Sequence, residues 1–463
     1  MNRNASGPRL KNGLLLLGAA VVFSLKAQGQ QQLSLEEVPS LVEKNVPQLQ
    51  AYKADAAASR YAIDYEKRSL MPDLSVGYQA GIATFNNITG MSYPGLMMPI
   101  SGPPSENNHL NFIPGSAAAA LITWQPLTFG QRGAAIEVAT AQYRLANAGY
   151  NEQLFRYQYM ALQAYLDAAY FAKIIAVHKA NIERYKSNLE QSLVLAKTGL
   201  KPGIDTLQIQ SSIAQAEIDL LQGETNYKQK LIELATLIGR NNKSPLILTD
   251  TSFASLSVLP DTAINTDVHP AYQAVSAQKE VAAAQLNEVS KSWRPRLDVW
   301  GNAYSRGSGV DWTGAINRAD GFQLNRTNIG AGMQLSFPLL RFYQLGARKK
   351  QYQQLLSAEE HRMEQLRVDL NKQVAIALEQ YGSNVLVSQK TAIRLQTARD
   401  AFNSLKLSYE TGLVDFTRLA QAQFELQQAA VNHAGALLLL QRSLLDVSVA
   451  KGDLNLFFNS NKK

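Results

Sequence analysis

Two short stretches, "KTGLKPGIDTLQ" at 197–208 and "ETGLVDFTRLAQ" at 410–421, interrupt long helical runs in the same manner. Their turn glycines, Gly199 and Gly412, stand 213 positions apart, and Gly133 with Gly346 and Gly239 with Gly452 repeat that offset. A glycine inside a helix costs about 1 kcal/mol relative to alanine, so the three pairs read as helix boundaries of a duplicated unit. Each half is expected to run helix, strand, loop, strand, long helix, glycine turn, returning helix. The long helices are expected from Gly133 to about Lys197 and from Gly346 to about Glu410. At 1.5 Å per residue such a run is roughly 95 Å long, which no ordinary globular domain accommodates. The chain must build a rod.

Within the second long helix, Met363, Leu366, Leu370, Val374, Leu378, Tyr381 and Val385 step by threes and fours, the spacing of a coiled-coil seam. The returning helices, 206–239 and 417–451, are about half as long, as is the leading segment 34–69. A leading and a returning helix stacked end to end would match one long helix. Residues 241–268 hold Pro245, Pro260 and many Ser, Thr and Asp, and read as a linker packed around the middle of the rod. The expected organisation is a first repeat over 28–240, this linker, a second repeat over 269–455 and a tail over 456–463.

Four segments, 72–85, 115–126, 296–306 and 328–338, read as strands. In the last, Ile329, Ala331, Met333, Leu335 and Phe337 alternate with Asn328, Gly330, Gly332, Gln334 and Ser336. In the first, Leu74, Val76, Tyr78, Ala80 and Ile82 alternate with Ser75, Gly77, Gln79 and Gly81. Each segment is about the 9–11 residues that a membrane strand needs, and no charge sits on either apolar face. The second is mostly alanine, and in the third Trp300 and Tyr304 share the side of Asp298, so the outward face of those two stays open. Pro72 and Pro295 are expected to open strands, and Pro126 and Pro338 to end them, where a missing N–H is tolerated. The alternative is a water-soluble antiparallel sheet packed on helices. Four strands cannot close a barrel, and lipid does not tolerate open edges. A membrane reading therefore requires several copies of the chain.

Composition narrows the function classes. No cysteine is present, which removes disulfides, thiolate metal sites and lipid attachment through cysteine. Residues 1–27 join a basic start to a short apolar run and end on Ala27, as an export signal would. They carry Arg3, Arg9, Lys11 and Lys26 and no acid, so the net charge of +8 drops to +4 without them, too little to indicate nucleic acid. No other run is apolar enough to be expected to cross a membrane as a helix, so strands would have to do it. The five histidines are scattered without metal-ligand spacing, and Gly307–Gly314 is glycine-rich but opens no helix, so neither a metal centre nor a phosphate loop is expected. No catalytic constellation emerges, and no cofactor is expected. A structural coiled-coil or adaptor protein without a barrel would explain the helices and leave the strands unexplained.

The order of these features resembles the TolC-type outer-membrane efflux proteins. "LSLEEVPSLVEKNVPQLQAYKA" at 33–54, the two Pro-x-Leu strand openings, the two Pro-Leu pairs after strands and both Thr-Gly-Leu turns carry the resemblance, which spans about 33–455. It departs at Val46-Pro47, where the family has Asn-Pro. The resemblance implies a mainly helical protein with a membrane β-barrel: a homotrimer in the outer membrane of a Gram-negative bacterium, with twelve strands in one barrel and a helical tunnel in the periplasm. It implies a passive exit duct for a tripartite pump or type I secretion system, with an inner-membrane transporter and a periplasmic adaptor as partners. Thr198, Gly199, Leu200, Thr411, Gly412 and Leu413 would form the tips that meet the adaptor, the leucines either as exposed knobs or as staples of their turns. Asp205, Gln208, Asp415, Thr417, Arg418 and Gln421 would lie at the tunnel constriction. Asp205 and Asp415 are alternatively helix N-caps.

Overall fold

In the computed structural model, residues 31–84, 110–198, 203–240, 246–249, 265–311, 313 and 315–461 are described. The expected export signal, most of the expected linker, most of the first strand loop and the first Thr-Gly-Leu turn beyond Thr198 lie outside the described residues. The elements are β1 (Gln31–Leu33), α1 (Val38–Asn45), α2 (Pro47–Arg68), β2 (Asp73–Ala83), β3 (Ile113–Leu127), α3 (Gln131–Lys197) and α4 (Ile204–Leu237). There follow β4 (Leu246–Leu248), α5 (Pro270–Lys291), β5 (Arg296–Ser308), β6 (Arg326–Ser336), α6 (Arg341–Glu410), α7 (Phe416–Ala450) and α8 (Asn455–Asn461).

The long helices are real, at 67 and 70 residues, or roughly 100 Å each. They start earlier than expected. Gly133 and Gly346 lie inside α3 and α6, with nothing near the space a Cβ would fill; in the first half the left-handed residue that precedes the helix is Gly130. The leading segment 34–69 is also two helices and not one. Val46 adopts an extended conformation and Pro47 opens α2, because proline lacks the N–H that would continue α1. Against α3 pack α2 and α4, and against α6 pack α5 and α7; α3 also carries α5 and α7.

The seam of α6 faces inward: Leu370, Val374 and Tyr381 are buried, and Val374 and Tyr381 join a core with Leu162, Tyr165, Leu440 and Leu444. A second cluster nearer the turns joins Ile182, Tyr185 and Ile209 to Phe402, Tyr409, Phe416 and Leu419. One strand pair was invisible in the linker. β4 runs parallel to β1, from Gln31 opposite Leu246 to Leu33 opposite Leu248, and Leu33, Leu246 and Leu248 enter the first core. A stretch of α3 is apolar enough by length and composition to cross a membrane, against expectation, yet half of it is buried within the protein. Asp167, inside α3, pairs with Lys230 and Arg442, which suits a helix packed in protein.

The second sheet is antiparallel in the order β2-β3-β5-β6. Its register fixes the two faces left open above. Leu74, Ile122, Gly301 and Ala331 lie in one cross-strand row, and Val76, Ala120, Ala303 and Ile329 in the next. Leu297 and Val299 therefore point with Leu335 and Met333, while Trp300 and Tyr304 point the other way. On that opposite face Trp300 lies so close over Gly332 that a Cβ there would stand 2.8 Å from the ring. Pro72 and Pro295 immediately precede β2 and β5, as expected. Pro338 follows β6 by two residues, but Pro126 does not end its strand: it sits inside β3, where the register shifts between Trp124 and Leu127. A bulge is one of the few strand positions that tolerate a missing N–H.

Candidate functional site

The second turn is fully described. After Glu410, Thr411 caps α6, and its Oγ1 donates to the carbonyls of Leu407 and Ser408, both at 3.1 Å. Gly412 then takes φ +79°, a conformation that costs other residues about 1–2 kcal/mol. The Gly412 N–H donates to the Tyr409 carbonyl at 3.1 Å and the Leu413 N–H to that of Ser408 at 2.9 Å. That double bond pattern is a Schellman motif. Gly239 and Gly452 end α4 and α7 by the same pattern.

Asp415 opens the returning helix as its N-cap: Oδ1 accepts from the Arg418 N–H at 3.1 Å. The hairpin is held by Phe416, buried edge-on against Tyr409 with ring centroids 6.1 Å apart. Leu413 is left 79% exposed, so its side chain does not staple the turn.

The first turn differs. Thr198 ends α3, its Oγ1 donating to Val194 O at 3.1 Å; Gly199 and Leu200 fall outside the described residues. α4 begins at Ile204 behind Gly203, which offers no side-chain cap. Asp205 is thus not the N-cap. It lies in the first turn, where the helix dipole favours an acid, and its Oδ2 accepts from the Tyr409 hydroxyl at 3.4 Å, tying the two hairpins together. Burial raises the Tyr409 pKa, with the Ser192 hydroxyl opposing, so the phenol stays a donor.

Of the other constriction candidates, Gln208, Asp415, Thr417, Arg418 and Gln421 are exposed. The last three share one face of α7, and Gln421 Nε2 reaches Glu425 Oε1 at 2.9 Å. Among the described residues none of these pairs with the opposite hairpin. What joins the hairpins above Asp205 is a buried amide ladder. Asn181 Nδ2 donates to Gln427 Oε1 at 2.7 Å, and Asn188 Nδ2 to Gln423 Oε1 at 2.8 Å. Gln423 Nε2 returns a bond to Asn181 Oδ1 at 3.1 Å. Sequence reading missed this ladder and Tyr409. The available signal was Gln423 and Gln427, two amides four apart on the otherwise apolar side of α7. Among the described residues no group of three or more His, Asp or Glu is placed to hold a metal ion.

A sheet with one uncharged apolar face, carried on helices too long for a globule, restricts the families this chain can join. The family model for outer membrane efflux proteins matches residues 38–240 and 266–453, two blocks that flank the linker. The chain belongs to the outer membrane efflux protein family. Membership places it in the outer membrane and assigns it to efflux.

The chain is 26% identical over 215 residues to the nickel-cobalt-cadmium resistance protein NccC of Alcaligenes xylosoxydans, covering 44% of this chain and 47% of that one. It is 23% identical over 347 residues to protein CyaE of Bordetella pertussis, covering 73% of this chain and 70% of that one. The match thus spans about half the length of NccC. The fold is shared with the open-state MtrE outer membrane channel of Neisseria gonorrhoeae, at a TM-score of 0.71 and 15% identity, over 91% of this chain and 89% of that one.

Proposed function

We propose that this efflux protein is a passive exit duct whose copies share one membrane barrel and whose helical turns receive a periplasmic adaptor. It would carry no catalysis. One observation bears most of the weight. The charged residues of the four strands, Asp73, Arg296, Asp298, Arg306 and Arg326, all fall on one face by register, and the other face has none. A basic residue facing lipid at mid-bilayer costs about 2–4 kcal/mol, so such sorting suits a sheet with lipid on one side and water on the other.

β2 and β6 are the sheet edges, and unpaired backbone in lipid is too costly to leave open. Pairing β6 of one copy with β2 of the next closes the wall, and three copies supply twelve strands. Each copy then contributes two hairpins to a tunnel in the periplasm, where Leu413 projects as an apolar knob towards the adaptor. An inner-membrane transporter supplies the energy. Opening follows if the adaptor binds a parted arrangement better than the closed one, with the Tyr409–Asp205 bond among those that must yield.

The test is Val76→Lys, at an exposed position in the middle of the apolar face. It is expected to abolish the outer-membrane trimer, whereas Gln79→Lys on the opposite face preserves it. Equal assembly of the two variants, or a stable wild-type monomer in detergent-free buffer, overturns the reading. For the turns, photo-crosslinking from position 413 is expected to capture the adaptor. Crosslinks to lipid or to other copies alone argue against docking there.

A further inference from the structure

The outer end of the sheet holds an arrangement that folding alone does not explain. Arg306 on β5 and Arg326 on β6 are direct cross-strand partners, so both side chains leave the same face of the sheet, side by side. Like charges placed directly opposite one another in a sheet are destabilising. Both arginines are exposed. Neither has a carboxylate partner among the described residues.

The acids nearest in sequence are otherwise engaged. Asp311 Oδ1 accepts from the N–H groups of Thr313 and Ala315 at 2.8 and 3.0 Å, and Asp320 Oδ2 accepts from Asn317 Nδ2 at 2.9 Å. The segment carrying Asp320 lies against Gly307 and Ser116, on the other face of the sheet. On the arginines' own face, Asp298 is eight residues back along β5. That is about 26 Å at 3.3 Å per residue, some three Debye lengths at physiological salt.

We propose that Arg306 and Arg326 form a positive collar at the outer end of the duct, which favours the passage of anionic solutes, those carrying carboxylate or phosphate groups. The proposal rests on the barrel reading above, which makes the charged face the lumen. Three copies would bring six guanidinium groups to one level. Rings of arginine or lysine are the usual basis of anion preference in pores, and a low-dielectric wall strengthens their field. The inner end carries Asp73, Asp298 and Arg296, so the lumen becomes more positive along the direction of export. An anion leaving the tunnel meets an attractive exit; a cation meets a barrier.

The experiment measures reversal potentials of the purified full-length protein in planar bilayers under a potassium chloride gradient. A collar potential of only one kT changes the local counter-ion concentration about threefold. Anions are enriched and cations depleted by that factor, so the chloride-to-potassium permeability ratio is expected to fall about sevenfold in Arg306→Gln/Arg326→Gln, to fall further in Arg306→Glu/Arg326→Glu, and to stay at the wild-type value in Arg306→Lys/Arg326→Lys. Insertion frequency and trimer yield report folding separately. An unchanged ratio in the glutamine and glutamate variants, with normal insertion, overturns the collar and leaves the duct standing. If neither the wild-type protein nor Tyr409→Phe, which lacks the bond between the hairpins, forms pores, the duct reading fails and the collar fails with it.

Discussion

α4 and α7 occupy the same place in the two halves, yet they live in different surroundings. Half of the 35 residues of α7 are buried, including Leu419, Leu426 and Leu440, while α4 buries only Ile209, Ala216, Gly223, Leu234 and Ala235 of its 34. The reason is their neighbours: α7 packs along both α6 and α3, whereas α4 packs mainly on α3 and touches the second hairpin at only a few side chains. The uncovered side of α4 is not polar. Ile204, Leu207, Ile218, Leu221 and Ile232 are exposed, at the heptad spacing of a coiled-coil seam. Duplicated helices thus share a pattern and differ in what completes it: the protomer itself for α7, a neighbouring copy for α4 in the assembly proposed here.

The sharpest way to break this comparison is a pair of leucines. Leu419→Ala on α7 removes a fully buried side chain and is expected to cost about 2–5 kcal/mol, read as a lowered denaturation midpoint of the detergent-solubilised protein. Leu221→Ala on α4, a side chain 63% exposed in the protomer, is expected to leave secondary structure intact and to weaken the trimer on native gels. Similar unfolding losses without dissociation would mean that α4 is not an intersubunit surface.

The glutamines sharpen the comparison further, since Gln210 and Gln423 are also related by the 213-residue offset. Gln423→Leu strands the Asn188 amide and removes the bond to Asn181 Oδ1, an expected loss of about 1–3 kcal/mol. Gln210→Leu, at an exposed position, is expected to change stability by less than about 0.5 kcal/mol. Denaturant titration of both variants decides. At the turns, Gly412→Ala is expected to cost about 1–2 kcal/mol through its left-handed backbone alone, because nothing crowds it. Gly239→Ala should cost more, since its Cβ would run into the Asn45 backbone. A reversed order in thermal melts would contradict the packing at the end of α4.

The smallest expected effect is on pH. His178 packs beneath Gly223 of α4, and its burial lowers its pKa below 6.5, with the Asp219 carboxylate opposing. Burial lowers His269 and His433 in the same direction. Their folded pKa values lie below the unfolded ones, so the unfolded chain binds more protons and stability falls as pH drops through about 6.5. Melting curves between pH 7.5 and 5.5 should show the loss, and His178→Gln should reduce it. A flat profile would deny that these histidines are buried in the neutral form.

The sequence by itself determined the duplication, the length of the two rods, the existence of four strands and the apolar face of two of them. These follow from local rules: periodicity sets helix or strand, and glycine or proline marks where each stops. Even there Gly133 and Gly346 misled, because a glycine near a helix start carries no conformational signature unless its φ is positive. Only the tertiary structure decided the outward faces of β3 and β5, since an alanine run and a mixed strand acquire a phase only from their partners' register. It likewise decided that Asp205 reaches Tyr409 across 204 residues, that Gln423 is interior while Gln210 is not, and that Arg306 faces Arg326. Each is a contact between distant segments, and one-dimensional spacing holds no information about which faces the packing brings together.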